Sequence, residues 1–298
     1  GRVVESVAVP QGSENTTYRI KTTTDTHILT LYEGRTNPAF LPQILQFQDY
    51  LAQHQFPCAQ PVQRTDGKFI TLVKEKPLAI CHLLDGQALS TPTPAHAEKT
   101  GLTLAEMHVL SHNYETRIPC SFGHKEAAAL LDKIVVSAQG SSLDIARKLK
   151  AEQPRLQSAA LPNLPHGIIH EDLFPDNVMF KNETLTGFID FGFCCYGTFL
   201  YDLAIALNAW GFDDETGQFK PDIFQAFYDG YTSVRPLEQH EQENFGHMMC
   251  LGALRFATSR LYDLTFPPDE GPKDGKNPVS WLIRLEFNSV RRTLSDYV

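Results

Sequence analysis

The sequence predicts an α+β protein with two unequal lobes, a small β-rich lobe followed by a larger and mainly helical one. Up to about residue 84, short runs of β-branched and aromatic residues alternate with turn-forming residues, which is typical of strands. From residue 95 onward, apolar residues recur at intervals of three and four, which is typical of helices. We therefore expect an N-terminal lobe of residues 1–84 and a C-terminal lobe of residues 85–298.

The N-terminal lobe is predicted to contain a β-meander, one helix and a strand pair. The first strands span Val3–Val9, Thr16–Thr22 and residues 27–32, and turn formers at residues 10–15 separate the first two. Regularly spaced apolar residues after a proline predict an amphipathic helix within residues 38–55. Residues 65–68 are expected to be a hairpin turn, and residues 77–84 the next extended segment.

The C-terminal lobe is predicted to be helical, with one interruption. Two short apolar runs between residues 167 and 190 each end at a polar residue, which indicates a loop and a short hairpin. A segment rich in Pro, Gly and Asp, residues 267–278, is expected to be a loop. The predicted helices span residues 100–110, 201–210, 221–231, 244–262 and 280–294.

Composition narrows the class of protein. The 298 residues are 42% hydrophobic and carry a net charge of −9, so the chain can bury a core and its field repels nucleic acids. An apolar run of 18 residues and a signal peptide are both lacking, which favours a cytoplasmic protein that does not interact with membranes. The six cysteines include no C-x-x-C pair, so we expect free thiols, with Cys194 and Cys195 in the core.

One loop carries the strongest chemical signal. Asp172 precedes Asn177 by five residues, His170 stands just before them, and Asp190 follows a predicted hairpin. Phosphoryl transfer needs one carboxylate to accept a hydroxyl proton, and an Asn and a second carboxylate to hold Mg²⁺ on the phosphates of ATP. The order and spacing of these residues match the kinase pattern H-x-D-x-x-x-x-N followed by D-F-G, and therefore predict a kinase.

Two other interpretations of this loop are open. Asp and Asn are common in turns, so His170, Asp172 and Asn177 could simply cap a bend at Pro175, although that does not explain their order with Asp190. Alternatively, the acidic residues and histidines between 166 and 172 could ligate a metal ion in a hydrolase. Gly167 and the two isoleucines after it favour a strand, however, on which such side chains would not converge.

The sequence resembles the aminoglycoside-phosphotransferase-like kinases and, within them, the homoserine kinases. The first resemblance rests on residues 170–177, Asp190 and residues 201–204; the second extends over residues 12–18, 28–33, 164–178, 201–210, 230–237 and 253–263. It implies a protein-kinase-like fold with ATP in the cleft between the lobes. It also implies transfer of the γ-phosphoryl group to L-homoserine, a small-molecule partner.

The resemblance assigns roles to individual residues. Asp172 corresponds to the catalytic base, and Asn177 and Asp190 to the Mg²⁺ ligands. Asp202 corresponds to a buried aspartate that braces the catalytic loop, although an ordinary first-turn carboxylate of a helix would look the same. His170 corresponds to a histidine that packs and forms hydrogen bonds.

The sequence departs from the family at the catalytic loop and on the third strand. Glu171 stands where Ala or Gly is expected, and we expect its side chain to point outward. Thr30 stands where kinases place a lysine, a threonine that the homoserine kinases share. Those kinases commonly have a lysine after the Leu-Tyr-Glu that follows, where this chain has Gly34 and Arg35. Arg35 is the candidate cation for the phosphates, although an exposed turn arginine is the simpler interpretation.

Further ATP contacts are expected from two segments of the N-terminal lobe. The loop that contains Gly12, Ser13 and Asn15 lies between two predicted strands and could cradle phosphate, although its single glycine is a weak signal. Backbone groups within residues 79–84, including those of Cys81 and Leu83, are expected to bind adenine.

A homoserine site needs a cation for the substrate carboxylate. Arg255 and Arg260 lie between apolar residues on a predicted helix, so one of them is expected to hold that carboxylate, unless it pairs with Asp202 or Asp263. Asn208, Trp210 and Tyr262 are expected to shape the pocket. The rival functions are a kinase for a choline-like amine, an aminoglycoside or a thio-sugar, and a non-catalytic nucleotide-binding module; the sequence gives no oligomeric state.

Overall fold

A computed structural model describes residues 1–9, 15–34, 36–121, 123–158, 164–267 and 276–298. Within these residues the strands are β1 (Val3–Val9), β2 (Thr16–Thr22), β3 (Thr26–Leu31), β4 (Ile70–Val73), β5 (Lys76–His82), β6 (Gln87–Ala88), β7 (His166–Ile169), β8 (Val178–Lys181), β9 (Thr184–Phe188) and β10 (Cys195–Thr198). The helices are α1 (Leu41–Gln53), α2 (Pro94–His112), α3 (His124–Ser137), α4 (Gly140–Ser158), α5 (Phe199–Trp210), α6 (Pro221–Val234), α7 (Gln239–Glu243), α8 (Phe245–Thr265) and α9 (Val279–Ser289).

The β-rich part precedes the helical part, as the sequence predicts. Five antiparallel strands form one sheet in the order β1-β2-β3-β5-β4. The hairpin β8–β9 takes β6 as a third strand, and β10 pairs with β7. The division between residues 84 and 85 falls between β5 and β6; as a boundary between two domains it stays a prediction.

Backbone hydrogen bonds join the two parts of the chain. Phe188 N–H donates to Pro57 O at 3.0 Å, and Ala59 N–H donates to Phe188 O at 3.2 Å. The segment after α1 therefore holds the end of β9, the strand that leads to Asp190.

The predicted hairpin turn at residues 65–68 is misplaced. Those residues do turn, since Arg64 N–H donates to Lys68 O at 2.7 Å, but the strands β4 and β5 reverse at Lys74 and Glu75. Both residues adopt the left-handed conformation, with φ of 48° and 67°. Neither is the Gly, Asn or Asp that usually marks such a turn, so the sequence carries no signal there.

Two glycines allow α2 and α6 to cross in close contact. A Cβ atom on Gly101 would lie 2.0 Å from Phe227 O, and one on Gly230 would lie 2.0 Å from Glu98 O. Only glycine permits this approach of the two backbones. The crossing brings His108 of α2 against Tyr231 of α6, inside the core of the helical lobe.

The expectation of free thiols is wrong for one pair of cysteines. Cys120 and Cys195, 75 residues apart, form a disulfide. Tyr196 N–H donates to Ile118 O at 2.7 Å, so the pairing of β10 with residues near 118 brings the two sulfurs together. Sequence spacing could not reveal this contact because it depends on tertiary structure. The free cysteines are Cys58, Cys81, Cys194 and Cys250, and Cys194 is buried as predicted.

None of the helices in the described part of the chain is both long enough and apolar enough to cross a membrane.

Candidate active site

The loop between β7 and β8 brings Asp172 and Asn177 together. β7 is buried after its first residue, and His170 and Glu171, which follow it, are buried as well. Phe174 N–H donates to Asp172 O at 2.9 Å, and a 3₁₀ turn at Pro175–Asn177 follows. Asn177 Nδ2 donates to Asp172 O at 2.8 Å and lies 3.5 Å from Asp172 Oδ2.

Asp172 lies in a partly shielded position among charged groups. Burial raises the pKa of its carboxyl well above the ordinary value, and the nearby charges of Asp190 and Asp176 raise it further. The positive charges of Arg255 and Lys276 oppose this shift. A carboxyl with a raised pKa binds a proton more readily, which is the property that a proton acceptor needs.

The β8–β9 hairpin places Asp190 beside Asn177. Val178 and Phe188 are paired in register, and Ile189 N–H donates to Asn177 O at 3.0 Å. Asp190 follows in the left-handed conformation, with φ 58° and ψ 60°, which short polar side chains tolerate better than others. Its side chain is exposed.

Asn177 and Asp190 fit a hard divalent cation. The Asn177 amide nitrogen points to Asp172, so the amide oxygen is the atom that remains to ligate a cation. Asp190 adds a carboxylate at the same end of the hairpin. Amide and carboxylate oxygens are the ligands that Mg²⁺ prefers, and the ion keeps several waters and phosphate oxygens as its other ligands.

Asp202, in the first turn of α5, holds the start of the loop between β7 and β8, residues 170–177, which we call the catalytic loop. Its carboxylate is fully buried and accepts the N–H groups of His170 at 2.8 Å and Glu171 at 2.7 Å. Burial by itself would raise the pKa of Asp202, but the hydrogen bonds that it accepts from His108 and from the His170 backbone help to hold it below its ordinary value. The carboxylate is therefore ionised and acts only as an acceptor.

The partner of Asp202 is His108, which the sequence analysis missed. Burial lowers the pKa of His108, so its ring is neutral. Nε2–H then donates to Asp202 Oδ2 at 2.9 Å, and Nδ1 accepts from the Tyr231 hydroxyl at 2.8 Å. Arg235 donates to Tyr231 Oη and pairs with Glu241, which extends the network to α7. His108 directly follows Met107 on the buried face of α2, and this position in the sequence could have indicated that the histidine is buried.

Glu171 points inward, so the expectation of an outward side chain is wrong. The residue is 1% exposed and has φ 65°, and Asp202 fixes its N–H, so the backbone turns the side chain toward α8. Its Oε1 lies 3.9 Å from Arg255 Nε, and Cys195 Sγ lies 3.4 Å from its Oε2. Burial raises the pKa of Glu171 to about 8, an effect that Arg255 opposes.

His170 is a buried residue of the loop wall. Its ring lies 4.9 Å from that of Phe191 and edge-on to Phe188, and its Nε2 lies 3.1 Å from Ile189 O. Burial lowers the pKa of His170, so the neutral ring donates through Nε2–H to this carbonyl. His170 thus links the catalytic loop to the residue before Asp190.

Three predicted nucleotide ligands, Gly12, Ser13 and Arg35, lie outside the described residues. Asn15 is described, and its Oδ1 accepts the N–H groups of Glu33 at 3.1 Å and Gly34 at 3.4 Å. The Asn15 side chain thus connects the start of β2 to the chain after β3. Thr30 lies in the middle of the sheet, between Thr17 of β2 and Ala79 of β5.

The sheet already uses part of the segment predicted to bind adenine. Cys81 pairs with Ile28 on one side and with Pro61 on the other, and Leu83 N–H donates to Thr26 O at 3.4 Å. The N–H of Leu83 is thus bonded within the sheet, and the expectation that backbone groups within residues 79–84 bind adenine stays a prediction.

Tyr32 directly follows β3. Burial raises its pKa, and Cys81 and Asp190 raise it further.

Two predicted pocket residues lie in the core instead. Asn208 is fully buried, and its Nδ2 donates to Ala204 O and Met249 O while its Oδ1 accepts from Asn288. Trp210 is 2% exposed and its Nε1 donates to Leu173 O at 3.1 Å. Both were expected to shape a pocket, but their hydrogen bonds hold α5 against α8 and against the loop between β7 and β8. The third, Tyr262, is half-buried and packs on Phe266.

The two candidate arginines of α8 have different surroundings. Arg255 is 2% exposed and lies beside Glu171, with its guanidinium over the Phe256 ring. Arg260 Nη2 pairs with Asp214 at 3.0 Å, a residue that the sequence analysis missed. Arg284 of α9 also contacts Asp214, at 3.3 Å. Arg284 stands among Trp281, Leu282 and Leu285, which form an apolar stripe on the helix. This pattern in the sequence could have indicated that Arg284 is buried.

Aromatic rings connect this arginine pair to the catalytic loop. Phe174, two residues after Asp172, packs on Phe256 and Trp281 with ring centroids 4.9 and 5.7 Å apart. The guanidiniums of Arg260 and Arg284 lie 5.2 and 4.2 Å from the Trp281 centroid. The arrangement places cationic groups, one half-exposed carboxylate and the proposed base on the same side of the helical lobe.

The β-rich lobe, the helical lobe and the loop that carries Asp172, Asn177 and Asp190 define a kinase with the protein-kinase-like fold. The chain belongs to the phosphotransferase enzyme family, whose model matches residues 6–237. The predicted family and fold are therefore confirmed. Members of this family use ATP as the phosphoryl donor.

Relatives and solved structures agree with this assignment. A homoserine kinase of Chelativorans sp. is 34% identical over 297 residues, which is 100% of this chain and 92% of the relative. A homoserine kinase of Azorhizobium caulinodans is 35% identical over 301 residues, with the same coverage. An amicoumacin kinase, solved with AMP-PNP and Ca²⁺, has a TM-score of 0.72 at 16% identity and covers 96% of this chain and 89% of its own. A choline kinase of Cryptosporidium parvum has a TM-score of 0.66 at 11% identity, with 96% and 88% covered.

Proposed function

We propose that the protein transfers the γ-phosphoryl group of ATP to the side-chain hydroxyl of L-homoserine and forms O-phospho-L-homoserine. The observation that carries this proposal is the Arg260–Asp214–Arg284 group near the catalytic loop, in a chain whose relatives named homoserine kinase match it over its full length. The guanidinium groups of this cluster can pair with the carboxylate of an amino acid, and its Asp214 carboxylate can pair with the ammonium group.

Asp172 is the proposed base for the substrate hydroxyl. It would accept the hydroxyl proton as the oxygen attacks the γ-phosphorus, and Asn177 keeps the Asp172 backbone in place through its amide. Asn177 and Asp190 would hold Mg²⁺, which neutralises charge on the phosphate oxygens when it is bound. Asp202 keeps this loop in shape through the N–H groups of His170 and Glu171.

Arg260 is the proposed ligand of the substrate carboxylate. Its Nε is shielded from solvent and has no hydrogen-bond partner among the described residues, and the same holds for Nε and Nη1 of Arg284. Buried guanidinium donors without an acceptor are costly, and a carboxylate is the acceptor that fits their planar geometry. Arg260 lies within the electrostatic influence of Asp172 as well as Asp214.

Asp214 is the proposed partner of the substrate ammonium group. Its side chain is about half-exposed, and the charges of Arg260 and Arg284 outweigh burial and hold its pKa below the ordinary value. An ionised carboxylate next to a guanidinium matches the ammonium and carboxylate that sit on one carbon of homoserine. A choline-like amine would instead need open aromatic faces, whereas two guanidiniums already lie against Trp281.

The experiment that tests this function measures ADP release from ATP by the purified chain. The substrates are L-homoserine, L-serine, choline, kanamycin and methylthioribose, each with and without Mg²⁺. We expect Mg²⁺-dependent turnover with L-homoserine alone, and phosphorus NMR should find the new phosphate ester on its side-chain oxygen. Turnover only with another compound would refute L-homoserine as the substrate but would leave the proposed roles of the catalytic residues in place. ATP binding without any turnover would favour a non-catalytic nucleotide-binding module.

A further inference from the structure

Asp25, His27 and His82 come together at the N-terminal sheet. Asp25 precedes β3 and lies two residues before His27, and side chains two residues apart in an extended chain point to the same face. His27 and His82 are directly opposite each other in the β3–β5 pairing, so they also share a face. The regular backbone of the sheet therefore brings the three side chains together.

The ligand atoms of these three side chains are close to coordination distance. One nitrogen or carboxylate oxygen from each residue lies within 4.8 Å of the other two. Asp25 Oδ2 is 3.3 Å from His82 Nδ1, and the two imidazole centroids are 5.1 Å apart. Ligands bound to one tetrahedral ion at ~2.0–2.1 Å are about 3.3 Å apart, so small rotations of the three side chains would complete the geometry.

We propose that Asp25, His27 and His82 form a binding site for a divalent cation of borderline softness, represented by Zn²⁺. Two imidazoles and one carboxylate suit Zn²⁺, Ni²⁺ or Cu²⁺, whereas Mg²⁺ takes oxygen ligands. A water molecule would complete the coordination, as at zinc sites with three protein ligands. This site is separate from the proposed Mg²⁺ ligands Asn177 and Asp190.

Two further observations favour this site. Thr26 N–H donates to Asp25 Oδ1 at 2.7 Å, which fixes the carboxylate and leaves Oδ2 toward His82. His27 Nδ1 is shielded from solvent and has no hydrogen-bond partner among the described residues. In the described part of the chain, the other comparable cluster is Cys120, Glu171 and Cys195, but its two sulfur atoms are joined in a disulfide.

The position of the site suggests its effect on the fold. Thr26, between two of the ligands, accepts the N–H of Leu83, the residue directly after His82. An ion held by Asp25 and His82 would therefore tie the β2–β3 turn to the end of β5, where the chain leaves the sheet toward the second lobe. We expect Zn²⁺ to raise the thermal midpoint of unfolding of the whole chain.

Calorimetric titration of the full chain with Zn²⁺ tests the proposal. The variants are His27→Asn, His82→Asn and Asp25→Asn, and the matched control is His240→Asn, which removes another exposed histidine that lies beside a carboxylate, Glu243. Each site variant is expected to weaken Zn²⁺ binding at least about tenfold and to abolish the thermal shift, whereas the control binds like the parent chain. Binding should also weaken below pH 6, where imidazoles gain protons.

Two results would overturn the proposal. One is equal Zn²⁺ affinity in the parent chain and in all three site variants, which would place the ion elsewhere. The other is the absence of saturable Zn²⁺ binding by the parent chain. Circular dichroism without metal checks that each variant folds, and the three separate variants keep the test decisive if one of them does not.

Discussion

Glu171 Oε1 lies 3.9 Å from Arg255 Nε, and neither residue is more than 2% exposed. This buried pair joins the catalytic loop, one residue before Asp172, to the middle of α8. Because solvent is excluded, the carboxyl of Glu171 has a pKa near 8, and its charge state changes close to neutral pH.

Glu171 is expected to make the folded chain less stable as pH rises. Its pKa is about 8 in the folded state against the ordinary 4.5, so the folded state binds the proton more tightly than the unfolded state. The free energy of unfolding should therefore fall between about pH 4.5 and pH 8, by at most about 1.4 kcal/mol per pH unit from this group. Glu171→Gln, which stays neutral, should flatten the decline and exceed the parent's stability at pH 8.5.

Urea unfolding of both proteins from pH 5 to pH 9 measures this effect. Glu286→Gln is the control, because Glu286 is an exposed residue whose ion pair with Lys148 lies at the surface. Parallel pH profiles for the parent and Glu171→Gln would show that Glu171 does not titrate in this range.

Asp172→Asn is expected to lower kcat by ~10²–10⁴-fold and to leave nucleotide affinity unchanged. The amide has nearly the same shape but cannot accept the hydroxyl proton. Steady-state kinetics with homoserine and a separate titration with ATP measure the two quantities. Asp229→Asn, an exposed change on α6, should keep full activity. A kcat within threefold of the parent would disprove the role of Asp172 as base.

Asp202→Ala is expected to destabilise the chain by about 3–5 kcal/mol, the typical cost of removing one partner from a buried charged network. The variant leaves the N–H groups of His170 and Glu171 and the Nε2–H of His108 without their acceptor. Asp202→Asn keeps one acceptor oxygen and should cost less. Chemical denaturation at pH 7 measures both, and a loss below about 1 kcal/mol for the alanine variant would contradict the bracing role.

Arg260→Lys is expected to raise the KM for homoserine ~10–100-fold while the KM for ATP stays the same. Lysine keeps the charge but cannot form two parallel hydrogen bonds to a carboxylate, and bonds to charged groups contribute about 1.5–3 kcal/mol. Arg291→Lys, which changes an arginine that follows α9, is the control. If Arg255→Lys, rather than Arg260→Lys, raises the KM for homoserine, the carboxylate ligand is Arg255.

Local patterns were sufficient for much of the fold. β1 and β2 match their predicted bounds, and α1, α5 and α6 lie where the apolar period predicts them. Strand and helix signals are carried by neighbouring residues, so they survive without tertiary information. The position of the β4–β5 turn was predicted wrongly because Lys74 and Glu75 adopt left-handed conformations, and neither residue type signals such a turn.

Local patterns did not predict contacts between residues that are far apart in sequence. His108 and Asp202 are 94 residues apart, and Arg260 and Asp214 are 46 apart. Asn208 was predicted to shape a pocket, yet three hydrogen bonds satisfy it inside the core. Burial of a polar group depends on which partners the fold supplies, and composition does not contain that information.

The sequence by itself determined the phosphotransferase family, the two-lobed fold and the spacing of Asp172, Asn177 and Asp190, because these depend on residue order along a short stretch of chain. The tertiary structure decided which way Glu171 points, which arginine faces Asp214, and that Cys120 meets Cys195. Each of these depends on the packing of segments that are distant in sequence. Side-chain direction and electrostatic pairing are fixed only when those segments come together.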